Sequence, residues 1–146
     1  MKHYLRMIIF MSIFGTFLSA CAGRSANHLG VSDGRLAACP RSPNCVSSQA
    51  EDEAHRITPL VFEDTPTMAF VRLKQVLDGR GDITIIEERP GYLRVEFRTL
   101  LFVDDGEFLL DTEQRLIQVR SASRLGYSDL GKNHRRLEEI RQSFTE

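Results

Sequence analysis

The sequence predicts an α+β domain: a four-stranded, mainly antiparallel sheet with two helices packed on one face, preceded by an N-terminal disulfide loop. Three observations carry this. Four consecutive segments between residues 82 and 123 read as strands with short links. Two segments, one before them and one at the end of the chain, repeat apolar residues with the period of a helix. The strands follow one another with short links, so an antiparallel sheet with the two helices packed on one face is the economical arrangement.

In chain order, residues 1–20 come first. Lys2 and Arg6 precede an uncharged apolar run over residues 7–18, the pattern of an export signal. Spanning a bilayer takes about 20 residues, so the run is short for a transmembrane helix. It ends in Leu18-Ser19-Ala20-Cys21, which resembles the bacterial lipobox. That resemblance implies cleavage before Cys21 and lipidation of its thiol. One acyl chain holds a protein to a membrane only reversibly, whereas the three chains usual for such proteins anchor it stably. Residue 22 is Ala rather than Asp, which by the same resemblance favours the outer membrane over the inner. Residues 21–35 are rich in Gly, Ser and small residues and cannot bury enough surface to offset their ordering entropy, so a flexible tether is expected there.

The segment from Ala38 to Gln49 sets Cys39 and Cys45 around Pro40 and Pro43. With Cys21 consumed by lipid, two of the three cysteines remain, in an oxidising compartment, and a structural disulfide is the expectation. Closing a loop of about seven residues removes denatured-state entropy worth roughly 2 to 2.5 kcal/mol. A redox pair is the weaker reading because thioredoxin-like motifs hold two residues between the cysteines. A metal site is weaker again, since His55 and His134 offer no clustered second pair of ligands.

Thr65 and Pro66 suit the N-cap and first position of a helix that closes at Gly79, with Ala69, Phe70, Leu73, Val76 and Leu77 on one face. Residues 82–88 and 92–103 then read as strands about the turn Pro90-Gly91. In the second, Leu93, Val95 and Phe97 alternate with Arg94, Glu96 and Arg98, one face for the core and one for water. Residues 106–111 and 115–123 give two more strands. The final helix places Leu137, Ile140 and Phe144 on one face, with its Arg and Glu residues expected on the other. About 110 residues follow the tether, room for one small domain over residues 36–146.

Several long motifs in these elements carry a resemblance: CPRSPNCVSS at 39–48, His55 with Ile57 and Pro59, VDDGEF at 103–108, and VRSASRLGYSDLGKN at 119–133, followed by the Arg-rich helix. Together, over residues 36–144, they resemble a bacterial and plastid family catalogued as domain of unknown function 1499. The resemblance implies export and a single domain. It brings no settled activity and no catalytic residues.

Without Lys2 and Arg6, 17 of the 19 basic residues face 20 acidic ones, a net charge of −3, which gives no footprint for nucleic acid. The segment richest in chemistry is residues 120–129, where Arg120, Ser121, Ser123, Arg124, Tyr127 and Asp129 crowd donors and charges. Such a set can cradle a carboxylate or phosphate, which arginine grips bidentately. Against it, Asp104, Asp105, Glu107 and Glu96 stand ready to pair with the same arginines, and Asp129 can cap a turn. The three acids of VDDGEF could hold calcium, but their spacing is not that of an EF-hand. Ser47, Ser48, Asp52 and His55 could be written as a hydrolase set, yet no G-x-S-x-G elbow is present. His55 reads better as a hydrogen-bonded anchor.

These observations lead to a lipid-anchored, non-enzymatic domain on the periplasmic face of the envelope, binding a protein or another envelope component, with no cofactor, metal or catalytic residue expected. The alternative is a protein for a small anionic ligand, or a hydrolase, using residues 120–129.

Overall fold

A computed structural model describes residues 29–146. The export signal, Cys21 and residues 21–28 of the expected tether lie outside the described residues. Over these residues the chain forms β1 (Val31–Ser32), β2 (Arg35–Leu36), β3 (Cys45–Ser47), β4 (Leu60–Val61), α1 (Pro66–Asp78), β5 (Ile83–Arg89), β6 (Tyr92–Arg98), β7 (Val103–Asp111), β8 (Leu116–Ser123) and α2 (Lys132–Thr145).

Strands β5 to β8 form the expected antiparallel meander. Pro90 and Gly91 join β5 to β6, with Gly91 at φ 72° in the position where such a turn requires a left-handed residue. Between β7 and β8 the Asp111 carboxylate accepts from the amides of Glu113 and Gln114. The main sheet has six strands rather than four, in the order β3-β8-β7-β6-β5, with β4 also paired to β8. Thus β3 and β4 are two pieces of one edge strand, interrupted by an excursion that carries His55. Their brevity and distant pairing hide them from sequence patterning. A separate two-stranded sheet, β1-β2, occupies the end of the segment expected to be a tether.

Both helices cover one face, as expected. Thr65 Oγ1 accepts from Met68 N and caps α1, which buries Ala69, Leu73 and Leu77, with Phe70 and Val76 partly buried beside them. Helix α2 buries Leu137, Ile140 and Phe144. Against them lie Leu93, Val95 and Phe97 of β6, Phe108 of β7, and Ile117 and Val119 of β8, in one continuous core. Burying each such side chain contributes about 1.5–3 kcal/mol before entropy is counted.

Two further expectations need correction. The strand read over residues 92–103 ends at Arg98, and residues 99–102 make a turn in which Thr99 N donates to Phe102 O at 2.9 Å. In α2 the charged residues do not all face water. Arg136 and Asn133 are buried on the same side as Leu137, because Asp104 points toward them from the sheet.

Candidate functional site

Alternation along β7 and β8 sends the charged residues to opposite sides of the sheet. Gly106 and Phe108 face the helices, and so does Asp104. Glu107 and Asp105 face the other way, as do Arg120 and, just beyond β8, Arg124. The three acids of VDDGEF are therefore split between two faces and cannot converge on one cation. Among the described residues no three His, Cys, Asp or Glu side chains are grouped for a metal ion.

The face away from the helices is covered by the N-terminal hairpin. Gly30 N donates to Glu107 Oε1 at 2.7 Å, and Leu36 N donates to Gln49 Oε1. Beneath this strap Glu107 is 0% exposed and Arg120 2%. Arg120 Nη1 reaches Glu107 Oε2 at 3.2 Å, and the Tyr92 hydroxyl donates to Glu107 Oε1 at 2.9 Å. Burial, with the neighbouring Glu107 carboxylate, raises the Tyr92 phenol above its ordinary value. Burial pulls the Arg120 guanidinium down against the opposing effect of Glu107, from a starting value high enough that it keeps its proton. Its Nε has no hydrogen-bond partner among the described residues.

Arg124 lies at the margin of this face and is held twice, by Asp105 at 2.7 and 2.9 Å and by Glu96 at 2.6 Å. The bonds to Asp105, then those to Glu96, hold its guanidinium above the usual arginine range. Both arginines singled out in the sequence are thus spent on the acids that surround them.

Ser121 and Ser123 face the helices and join a second network. Ser121 Oγ donates to Asn133 Oδ1 at 2.5 Å, and Asn133 Nδ2 donates to Asn44 O and Ser123 Oγ. Arg136 bonds Asp104 at 2.9 Å and stacks on Phe97, its guanidinium carbon 4.4 Å from the ring centroid. Asp129 caps α2, accepting from the amides of Gly131 and Asn133. The six candidate residues of residues 120–129 therefore occupy three places: two under the strap or at its edge, two in the helix-side network, and Tyr127 and Asp129 in the loop beyond.

Cys39 and Cys45 are bonded, with their Cα atoms 5.6 Å apart. The loop they close is tied down by His55, whose Nδ1 lies 2.7 Å from Asp52 Oδ1 and whose Nε2 lies 3.1 Å from the Ser42 carbonyl. The hydrogen bond from His55 holds the Asp52 carboxyl below the usual carboxylate range. Neither serine touches this ring. Ser47 Oγ accepts from Gln49 N, and Ser48 Oγ bonds Gln118 and Val119. The hydrolase set lacks its contact between nucleophile and base.

What the sequence reading missed lies at the end of the sheet where β6 meets β7. The turn of residues 99–102 and the loop of residues 125–130 expose Leu100, Leu101, Phe102, Leu125, Tyr127 and Leu130. Between them is a hollow of about 340 Å³ lined by Phe102, Leu125, Leu130 and Lys132, with Asp104 and Ser123 at its base. Three consecutive apolar residues that break the alternation of β6 were the available signal. A larger, open polar hollow of about 620 Å³ lies elsewhere, beside Arg35, Gln49 and Arg56, whose guanidinium groups donate to the carbonyls of Gln49 and Ala50. No described helix is long and apolar enough to cross a membrane.

Compared with known proteins, the chain matches over residues 35–144 the family described as protein of unknown function (DUF1499). No curated protein and no solved structure matches it.

Proposed function

The chain belongs to the DUF1499 family, and because that membership brings no activity with it, we propose from the chain's own residues that it is a membrane-anchored domain of the periplasmic face that binds an envelope component without catalysis. The observation that carries this is how the charged groups of residues 120–129 are used. Arg120, Arg124 and Asp129 are consumed inside the fold, and the adjoining loop exposes Leu125, Tyr127 and Leu130. A rigid scaffold with an apolar recognition end is the form of a binding protein. The lipobox-like LSAC supports the anchor, and Ala22 supports the outer membrane over the inner.

The alternative, a site for a small anion or a hydrolase, has less support: an anion would have to displace Asp105, Glu96 or Glu107 from its arginine. Envelope fractionation tests the proposal. The wild type is expected in the outer-membrane fraction, released only by detergent, with Cys21→Ser no longer needing detergent. A wild type that is soluble without detergent, or that hydrolyses ester substrates in a way lost on Ser47→Ala or Ser48→Ala, would overturn it.

A further inference from the structure

We infer that the apolar tip of residues 99–102 and 125–130 seats in the interfacial layer of an anionic bilayer, the one to which Cys21 tethers the chain. The inference rests on the anchored reading above and names the surface the tip meets. Leu100 is 98% exposed, Leu130 85% and Tyr127 76%. Single exposed apolar residues are ordinary, but a contiguous group marks an interaction site. Phe102, Leu125 and Leu130 line one hollow, and exposed Leu100 and Tyr127 lie in the same two turns, residues 99–102 and 125–130. They are also presented rigidly. Thr99 closes its turn through both its amide and its hydroxyl, and Asn44 Nδ2 pins Gly126 O at 2.6 Å. Tyrosine, apolar with a polar end, suits the boundary between headgroups and acyl chains.

The rim decides the charge of the surface. Lys132 borders the hollow, and Arg135 is held at its edge by the Leu130 carbonyl, 2.8 Å away. Neither forms an ion pair among the described residues. The carboxylates nearby are engaged, Asp104 with Arg136 and Asp129 with the amides of α2. An apolar hollow bordered by Lys132 and Arg135, neither paired with a carboxylate among the described residues, fits anionic headgroups over acyl chains. A second copy of the chain fits poorly, since an isologous contact would set this cationic rim against itself.

The tether permits the seating. Gly30 is fixed at Glu107, four residues along β7 from Val103 and so about 13 Å from the turn at roughly 3.3 Å per residue. Nine residues from Cys21 to Gly30 reach about 30 Å when extended. That length allows either end of the sheet to meet the membrane. The opposite turn carries Thr112, Glu113 and Gln114, so the side chains choose the tip.

The chain contains no Trp, so a single introduced one reports alone. Full chain carrying Leu100→Trp, or Glu113→Trp at the opposite end, is reconstituted in phosphatidylcholine vesicles with brominated acyl chains, with and without phosphatidylglycerol. The expected result is quenching of Leu100→Trp several times that of Glu113→Trp, stronger with phosphatidylglycerol and lost on adding Leu130→Asp. Equal quenching at both ends, or indifference to phosphatidylglycerol, overturns the inference. So does concentration-dependent cross-linking at Leu130, to a second copy or another protein, in place of quenching. The Cys21 peptide of the same preparation is weighed separately. Missing acyl mass there sinks the anchor and leaves the tip's quenching to stand or fall alone.

Discussion

The Phe97 ring occupies the space that a side chain at Gly106 would need. A Cβ built there would lie 2.6 Å from Phe97 Cζ and 2.7 Å from Val95 Cγ2. Gly106 has no positive φ, so the glycine in VDDGEF is required by packing and not by backbone conformation. Arg136 stacks on the same Phe97 ring and pairs with Asp104. The glycine thus lets one aromatic ring bridge β7 and the guanidinium of α2.

Gly106→Ala is therefore expected to destabilise the domain by about 1–3 kcal/mol, the usual cost of overpacking a filled core. Urea unfolding measures it. A substitution that costs nothing would mean the ring moves freely, and Gly106→Ala with Phe97→Leu should recover part of the loss if the clash is its cause.

The disulfide fixes the loop whose Asn44 holds both Gly126 and Asn133. Replacing Cys39 and Cys45 by Ser is expected to cost about 2–4 kcal/mol. Alkylation in denaturant without reductant should leave both cysteines unmodified, and labelling of either there would show the bond unformed.

Much of this architecture could be read from the sequence, for reasons that separate its parts. Strands β5 to β8 and both helices declare themselves because each is long enough for a period to repeat, as in Leu93, Val95 and Phe97. Strand β3 is three residues long and buried throughout, so it has no alternation to read. Its partner lies far along the chain, as the bond from Ser48 to Gln118 across 70 residues illustrates. Arg136 looked like surface because arginine usually is. Counting inward from Phe108 through Gly106 would have placed Asp104 on the core side, where it needs a cation. The N-terminal hairpin was hidden because backbone amides, such as Gly30 N on Glu107, hold it in place of apolar side chains.

Glu107 and Arg120 form an ion pair with almost no access to water. Breaking such a pair leaves a buried charge and costs about 3–5 kcal/mol, whereas replacing both partners by apolar side chains is often neutral. Glu107→Leu and Arg120→Met are each expected to be severe, and the double variant milder than either. Arg120 Nε, already without a partner, loses nothing on removal. A double variant as damaging as the sum of the two would show that the pair is not coupled.

Tyr92 gives the pH dependence. Its phenol is buried and raised above its ordinary value near 10, first by desolvation and then by the adjacent Glu107 carboxylate. Below about pH 10 the folded and unfolded chains both keep this proton, and the stabilisation is fully present. Above it the unfolded chain releases the proton while the folded chain retains it, so the unfolded state binds fewer protons and stability falls with pH. One such proton corresponds to a decline of about 1.4 kcal/mol per pH unit. Tyr92→Phe removes the titrating group, and Glu107 keeps its bonds to Gly30 and Arg120. The variant should lose about 1.5–3 kcal/mol at neutral pH, as expected for a hydrogen bond to a charged acceptor. Between pH 10 and 11 it should lose stability less steeply than wild type. Urea unfolding at each pH measures both slopes, and parallel slopes would show that Tyr92 is not held protonated by the strap and Glu107.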